Sequence, residues 1–316
     1  TVSYLAPDGL IVPPWRAHQI LRRLVPLLLA ADRNEVTFAP NFIPPPAFRR
    51  AGGARVVTVH DLSIRKVPWA VRPDTAEFLA RRLERTLFEA DLILTPSRAV
   101  GAEIAAVGIS PGKIRAIHHG PGQMAEARGG RPPKNLRRRP YVLHVGTLEP
   151  RKNVLVLLSA WRQLERYEAP VLVLCGGYGW NAEAIRWQVE RAEKEGWLIH
   201  LGYVPAEELA GLYRGALAVV LPSWYEGFGL PAVEALKAGK PLVCSDLDVL
   251  REVAGNAALY VPIDRHDLWA ARIAALVSNT ELREELQRRA VERAKLFDWH
   301  RAAEETVKAW REAAGR

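Results

Sequence analysis

Two glutamates, Glu226 and Glu234, flank a glycine-rich bend in the stretch LPSWYEGFGLPAVEALKAG, residues 221 to 239. Carboxylates accept hydrogen bonds from sugar hydroxyls. Gly227 and Gly229 carry no Cβ, so a ligand can approach the backbone between them. The free amides of the helix that follows attract a phosphate. One carboxylate could then hold a glycosyl ring and the other a ribose, with a diphosphate between them. Pro231 suits the first helical position, where its fixed φ and missing N–H cost nothing, and this places Glu234 in the first turn. A second cluster, HVGTLEPRKN at 144 to 153, puts Gly146 and Thr147 in a turn and Arg151 with Lys152 at the start of the next helix. The helix macrodipole disfavours cations there. A bound anion is the expected compensation, and a solvated basic pair is the alternative.

Both clusters directly follow apolar runs. In the back half YVLHVG, PVLVLCG, LIHLGYV, LAVVLPS, KPLVCS and AALYVP alternate with helical periods. In the front half the strands expected are Val2–Leu5, Val36–Phe38, Arg55–Val59, Leu92–Thr95 and Ile114–Ile117, with an Arg-rich amphipathic helix near 72 to 90. Between the halves AEARGGRPPKNLRRRP, residues 125 to 140, is rich in Gly, Pro and Arg without an apolar period, and reads as a linker. Strands joined by helices imply parallel sheets covered on both faces. The fold class is therefore α/β, with two Rossmann-like domains at 1–124 and 141–298. Ligands of such sheets bind beyond the carboxyl ends of the strands, where both clusters lie.

The 316 residues suffice for two domains, each with its own core. Half are apolar, yet no run of about 18 uncharged apolar residues predicts a membrane-spanning helix, and the first residues lack the pattern of a signal peptide. Cys175 and Cys244 each close an apolar run and read as core residues in a reducing compartment, not as a disulfide or a metal site. Residues 1–140 carry 22 Lys plus Arg against 11 Asp plus Glu, a balance of +11, whereas 141–316 carry 22 against 24, a balance of −2. A basic front half favours an acidic partner such as a phosphate-bearing lipid, a membrane surface or a nucleic acid; a solvated Arg-rich surface explains it equally. The segment IVPPWRAHQILRRLVPLLLAA (11–31) could lie on a membrane, but Pro26 and its expected place against a sheet favour a core helix. Asp246 and Asp248 have the Asp-x-Asp spacing of some metal sites, yet read as a loop capping the next helix. His118 and His119 lack a third ligand nearby and read as loop residues, not as a metal site. GGYGWN (176–181) reads as a turn near a nucleotide base.

Taken together, GTLEPRKN, PSWYEGFGLPAVEALKAGKPLV, VVTVHDLS (56–63), ADLILTPSRAV, IRAIHHGP (114–121), HLGYVPAEELAGLYRGA (200–216) and FDWHRAAEETVKAW resemble the retaining glycosyltransferases of family 4. These have the GT-B fold, and the likeness runs from about Val56 to the C-terminus. It is greatest to the subgroup using GDP-mannose or a related nucleotide sugar for bacterial surface polysaccharides. The resemblance implies that Glu226 binds the donor sugar and Glu234 the ribose, with the amides of Gly227, Phe228, Gly229 and Leu230 reaching sugar and phosphate. Gly146, Thr147 and Val204 would also line the donor site. Arg151 and Lys152 would stabilise the departing diphosphate, and His60 would face the donor sugar across the cleft. His60, Arg151, Lys152 and Glu226 are thus the expected catalytic set. Retention is implied without a protein nucleophile, the leaving phosphate taking the acceptor's proton on the same face.

The resemblance further implies no metal or other cofactor, a nucleotide-diphosphate sugar as co-substrate and a glycan or lipid-linked acceptor. It also implies a cytoplasmic location, peripheral at the inner face of the membrane, and a last helix, 299–316, crossing back to the front domain. One departure stands out. The family opens with a strand and a glycine-rich turn, but the only early glycine here is Gly9, and TVSYLAP aligns with a later strand. The first β-α unit of the front domain is expected to be absent; truncation ahead of Thr1, a partner chain that supplies the unit and a degenerate enzyme all fit, and the favoured expectation is that a second copy or another chain covers the gap. Two alternatives stay open: a nucleotide-sugar epimerase or hydrolase of similar fold, and a nucleotide-sugar-binding protein without catalysis.

Overall fold

The computed structural model describes residues 35–44, 48, 53–70, 73–122, 130–164 and 169–315. The strand expected at 2–5, the segment 11–31 and the question of a first β-α unit lie outside these residues. Among the described residues every named strand pairs in parallel. The front sheet has the order β1 (Val36–Ala39), β2 (Ala54–Thr58), β3 (Leu92–Thr95), β4 (Ile114–Ala116). Helices α1 (Ser63–Lys66) and α2 (Pro73–Glu89) connect β2 to β3, and α3 (Arg98–Ala106) connects β3 to β4.

The back domain builds a second sheet from β5 (Tyr141–Val145), β6 (Val171–Cys175), β7 (Leu198–His200), β8 (Ala218–Leu221), β9 (Leu242–Ser245) and β10 (Ala258–Val261). Their order is β10-β9-β8-β5-β6-β7. The connecting helices are α4 (Val154–Trp161), α5 (Glu183–Lys194), α6 (Ala206–Gly215), α7 (Leu230–Lys237) and α8 (Asp248–Ala254), and α9 (His266–Ser278) and α10 (Thr280–Ala294) follow the last strand. Helices cover both faces, so the strands read as unbroken apolar runs; VLVLC of β6 is buried throughout. Alternate residues serve opposite cores. Tyr141 and Leu143 pack with Cys175, Leu221, Val233 and Phe297, while Val142 packs with Leu157, Val220, Trp269 and Ile273. Cys175 and Cys244 are free and buried.

Helix α11 (Trp299–Ala314) lies on the front sheet. Asp298 starts it by accepting hydrogen bonds from the amides of His300 at 2.8 Å and Arg301 at 3.1 Å. Its buried face is made of Ala302, Ala309 and Ala313, small enough for close packing on Val56, Leu92, Leu94 and Ile117. A salt bridge of 2.8 Å between Arg115 and Glu312 closes its end. Residues 130–140 lie against the back domain, where Leu136 is buried in the core and Arg214 donates to the Gly130 carbonyl. Among the described residues no helix is long and apolar enough to cross a membrane.

Candidate active site

The chain leaves β5 toward β6 on one side and returns as β8 on the other. The carboxyl ends of β5 and β8 therefore flank the topological switch point, where open α/β sheets bind ligands. After β5 the chain makes a 3-10 turn, Pro150–Lys152, and Asn153 takes the left-handed conformation at φ 53°. The Asn153 amide group donates to the carbonyls of Pro222 at 3.1 Å and Ile263 at 3.0 Å, fastening this turn to the loop after β8. Arg151 and Lys152 thus sit one turn ahead of α4, a correction to their expected place at its start.

Their counter-charges are carboxylates. Lys152 Nζ donates to Glu226 Oε1 at 2.6 Å, and Ser223 Oγ donates to the same oxygen at 2.7 Å. Arg151 Nη1 lies 3.7 Å from Glu226 Oε2. The same guanidinium donates to Glu149 Oε1 at 3.0 Å and to the Tyr225 carbonyl at 3.2 Å. Two cations and two carboxylates sum to zero, so Glu149 and Glu226 supply the compensation that the sequence pattern assigned to a bound anion. Glu226 is only 6% exposed. Burial alone would raise its pKa, but Lys152, Arg151 and the hydrogen bonds outweigh that and hold it below the usual carboxylate range. Burial would likewise lower the Arg151 pKa, but Glu226, Glu149 and Asp61 raise it further. Beneath the pair, His144 of β5 is fully buried and bonds through Nδ1 to the Val220 carbonyl at 3.1 Å. Burial pulls its pKa to about 4, so it is neutral.

Glu234 has a different environment. Gly229, at φ 84°, precedes α7; Leu230 is the first helical residue and Pro231 the second. This corrects the expected register by one and moves Glu234 into the second turn. Tyr213 Oη donates to Glu234 Oε2 at 2.7 Å. Burial raises the Glu234 pKa, and the tyrosine bond offsets only part of that. A Cβ placed on Gly122 would stand 2.0 Å from Glu234 Oε1, so the chain leaving the front domain runs against this carboxylate.

The cleft is closed over the bend. A Cβ on Gly227 would come within 2.0 Å of the His60 carbonyl oxygen and 2.7 Å of Asp61 Cβ. The glycine expected to admit a ligand instead admits the front domain, whose main chain at His60 lies against Gly227, the residue after Glu226. His60 Nε2 lies 2.9 Å from the Pro40 carbonyl, and its ring meets His119 edge-on at 5.6 Å. Burial, with His60 and His118 nearby, pulls the His119 pKa down to about 4. Ser97 Oγ donates to the Gly227 carbonyl at 2.8 Å. Tyr225 Oη accepts from the Leu62 amide at 3.0 Å and donates to Glu103 at 2.7 Å. Glu252 of α8 accepts from the amides of Arg98 at 2.8 Å and Ala99 at 2.9 Å, capping α3 from the other domain, and from His118 Nε2 at 2.7 Å.

The remaining expected residues scatter. Val204 is buried in the core with Cys175, and Phe228 is packed among His118, His119 and Phe297. Thr147 is exposed beside Gly146, and Leu230 is exposed at the head of α7. Asp246 is held by both nitrogens of the Arg251 fork, one at 2.8 Å, and neither Asp246 nor Asp248 caps α8 through its side chain; the capping expectation is corrected. Among the described residues no three His, Cys, Asp or Glu side chains cluster as a metal site would need. Glu149, His144, Ser223, Tyr213, Tyr225 and Glu252 were missed from sequence. Glu149 and His144 lay inside HVGTLEPRKN, Ser223 and Tyr225 inside PSWYEGFGLPAVEALKAGKPLV and Tyr213 inside HLGYVPAEELAGLYRGA, whereas Glu252 lay in no motif singled out.

A family model described as Glycosyl transferases group 1 matches residues 131–293, and one described as Glycosyltransferase Family 4 matches residues 6–121. The chain is 35% identical over 289 residues to O-antigen chain mannosyltransferase B of Escherichia coli, covering 88% of this chain and 74% of that protein. It is 28% identical over 277 residues to D-inositol 3-phosphate glycosyltransferase of Corynebacterium efficiens, covering 82% of this chain and 65% of that one. Over 228 residues it is 29% identical to serotype-specific mannosyltransferase WbdA of Escherichia coli, spanning 26% of that longer protein. Among solved structures, sucrose-phosphate synthase from Thermosynechococcus elongatus superposes with a TM-score of 0.75 at 22% identity, covering 98% of this chain and 80% of that one. Anabaena HepE in complex with UDP and glucose gives 0.74 at 17% identity, covering 95% and 83%. At such identities the structural likeness speaks to the fold alone.

Proposed function

This chain belongs to the group 1 glycosyltransferases, on the two-domain GT-B fold, and from that premise we propose that it transfers a mannosyl residue from GDP-mannose or a related nucleotide sugar to a glycan or lipid-linked acceptor. The anomeric configuration is retained and no metal ion is needed. One observation carries this: Arg151 and Lys152 from the β5 loop and Glu226 from the β8 loop meet in one buried cluster, and the front-domain main chain at His60 lies against Gly227 beside it. The similarity to an O-antigen mannosyltransferase supports the choice of sugar.

In the transfer, the bond from the anomeric carbon to the phosphate oxygen breaks and a bond from an acceptor hydroxyl forms. The hydroxyl proton passes to the departing phosphate. Negative charge grows on that phosphate, and preorganised cations in a water-poor site stabilise it most where it develops. Glu226 is poorly suited to attack carbon, since Oε1 already accepts two hydrogen bonds, Arg151 stands beside Oε2 and its pKa is held low. It serves as an orienting acceptor for sugar hydroxyls, which fits retention without a protein nucleophile. The bidentate pairing of Asp246 with Arg251 leaves the Asp-x-Asp loop little capacity for a cation. The basic front half supports peripheral contact with an anionic membrane surface.

The test supplies radiolabelled GDP-mannose, UDP-glucose and UDP-galactose with α-methyl mannoside or a bacterial lipid extract, in EDTA and in Mn²⁺. Label from GDP-mannose should enter the acceptor in EDTA as well as in Mn²⁺, with an α-linked product by NMR. Release of free sugar alone, inversion, or loss of activity in EDTA with rescue by Mn²⁺ would overturn the corresponding part.

A further inference from the structure

Beside the charge cluster lies a pair of tryptophans that no role above explains. Trp69, on the 3-10 turn Pro68–Ala70 of the front domain, and Trp224, in the β8 loop, meet edge to face with centroids 5.8 Å apart and planes at 89°. They are 53% and 37% exposed, whereas Tyr225 and Glu226, next along the chain, are buried. The Trp224 amide donates to the Arg151 carbonyl at 2.8 Å, tethering this ring by its backbone to the residue beside Glu226. Glu226 follows two residues on, at most about 7 Å along the chain. On the front side the Leu62 amide is bonded to Tyr225 Oη, and Trp69 lies three residues beyond the end of α1. The pair therefore spans the domain junction at the edge of the candidate active site.

We infer that Trp69 and Trp224 form a stacking platform for a sugar ring of the acceptor glycan. The inference rests on the proposed transferase function and specifies its acceptor side. An edge-to-face contact covers at most one face of one ring, and both rings remain exposed to solvent. A pyranose offers an apolar C–H face rimmed by hydroxyls, so it can stack on indole while its hydroxyls stay in water. Indole also supplies this contact area with few rotatable bonds to freeze. The charged groups proposed for the donor, Arg151, Lys152, Glu226 and Glu234, lie in the back domain, with His60 the front-domain residue expected to face the donor sugar, whereas the platform needs a second side chain, an exposed ring, from the front domain. That places the stacked sugar on the acceptor side. Because each domain contributes one ring, the platform exists only in the closed form, which couples acceptor binding to closure of the cleft.

The test uses Trp69→Ala, Trp224→Ala, the double variant and the two Trp→Phe variants, each checked for folding by circular dichroism. Binding of an α-linked mannose trisaccharide is read directly by saturation-transfer NMR in the presence of GDP, and GDP affinity by calorimetry. Each alanine variant should weaken trisaccharide binding about tenfold, or about 1.4 kcal/mol, with GDP affinity within twofold. The double variant should lose less than the sum of the two, as expected of one shared platform, and the phenylalanine variants should recover most binding. Unchanged trisaccharide binding, or equal loss of GDP affinity because the rings only hold the domains together, would overturn the inference. So would loss of anionic-vesicle binding with trisaccharide binding intact, which would assign the rings to a membrane. Binding is scored without turnover, so a wild-type protein that binds the trisaccharide but transfers nothing would sink the proposed function and leave the platform standing.

Discussion

Replacing Glu226 by Gln should separate binding from turnover. The substitution keeps the shape and one hydrogen-bond acceptor for Lys152 and Ser223 but turns a neutral four-charge cluster into one of net +1. The Lys152 side chain is 12% exposed and that of Glu226 is 7% exposed. Removing one partner of such a buried pair typically costs about 3–5 kcal/mol. Arg151 keeps Glu149, so the lower end, about 3 kcal/mol, applies. For a domain of this size that lowers the melting temperature by roughly 6–12 °C. A diphosphate docked nearby would gain a unit of positive charge, which at an effective dielectric of about 20 and a separation on the order of 8 Å is worth about 2 kcal/mol for each phosphate charge. GDP should therefore bind the variant as tightly as wild type, or tighter by about thirtyfold for each phosphate charge felt at that distance. Turnover should fall by about a hundredfold, the order seen on loss of one preorganised polar group, because the sugar loses its anionic acceptor. Calorimetry with GDP, a thermal melt and a radiolabel transfer assay measure the three quantities. If GDP affinity falls in step with turnover, Glu226 touches the nucleotide and the charge argument is wrong; an unchanged melt would refute the buried pair itself.

Glu234→Ala should weaken GDP binding by about 1.5–3 kcal/mol, the range for hydrogen bonds to a charged group. In the wild type, affinity should fall as the pH drops through the Glu234 pKa, which burial holds above 4.5; Tyr213→Phe removes the bond that lowers it and should shift the fall to higher pH, as calorimetry across pH would show. Burial would raise the Glu252 pKa, but His118 and the Arg98 and Ala99 amides hold it below 4.5. Its stabilising contribution is thus complete above 4.5 and lost as pH falls through the lowered value. Glu252→Ala should cost about 1–2 kcal/mol as a lost helix cap, and hydrogen exchange should show the Arg98 and Ala99 amides losing protection. With +11 on residues 1–140, the chain should sediment with anionic vesicles at about 10 mM salt and release as the Debye length shortens to about 8 Å; no sedimentation at low salt would reduce the basic half to a solvated surface.

What the sequence revealed and what it concealed follow from the range of the interactions involved. A strand buried on both faces must be apolar at every position, so YVLHV and VLVLC announce themselves, and the placement of Glu226 just past LAVVL follows from the same run. The difference between the two glutamates was hidden because it depends on residues far along the chain. Lys152 reaches Glu226 from another strand loop, and Tyr213 reaches Glu234 from α6. Within a few positions of either glutamate the one contributor is Ser223, whose bond to Glu226 comes after Lys152 and Arg151 in holding that carboxylate ionised. Local rules also misplaced what they did see. The Asp-x-Asp loop was expected to cap α8, but Arg251 lies five residues past Asp246, and a two-pronged ion pair took the carboxylate first. Gly227 is the clearest case. A missing Cβ says only that something approaches closely, and sequence cannot say whether that is a phosphate or another domain. Here it is the His60 carbonyl, so the bend beside Glu226 is shaped by cleft closure, and its chemistry depends on the front domain being in place.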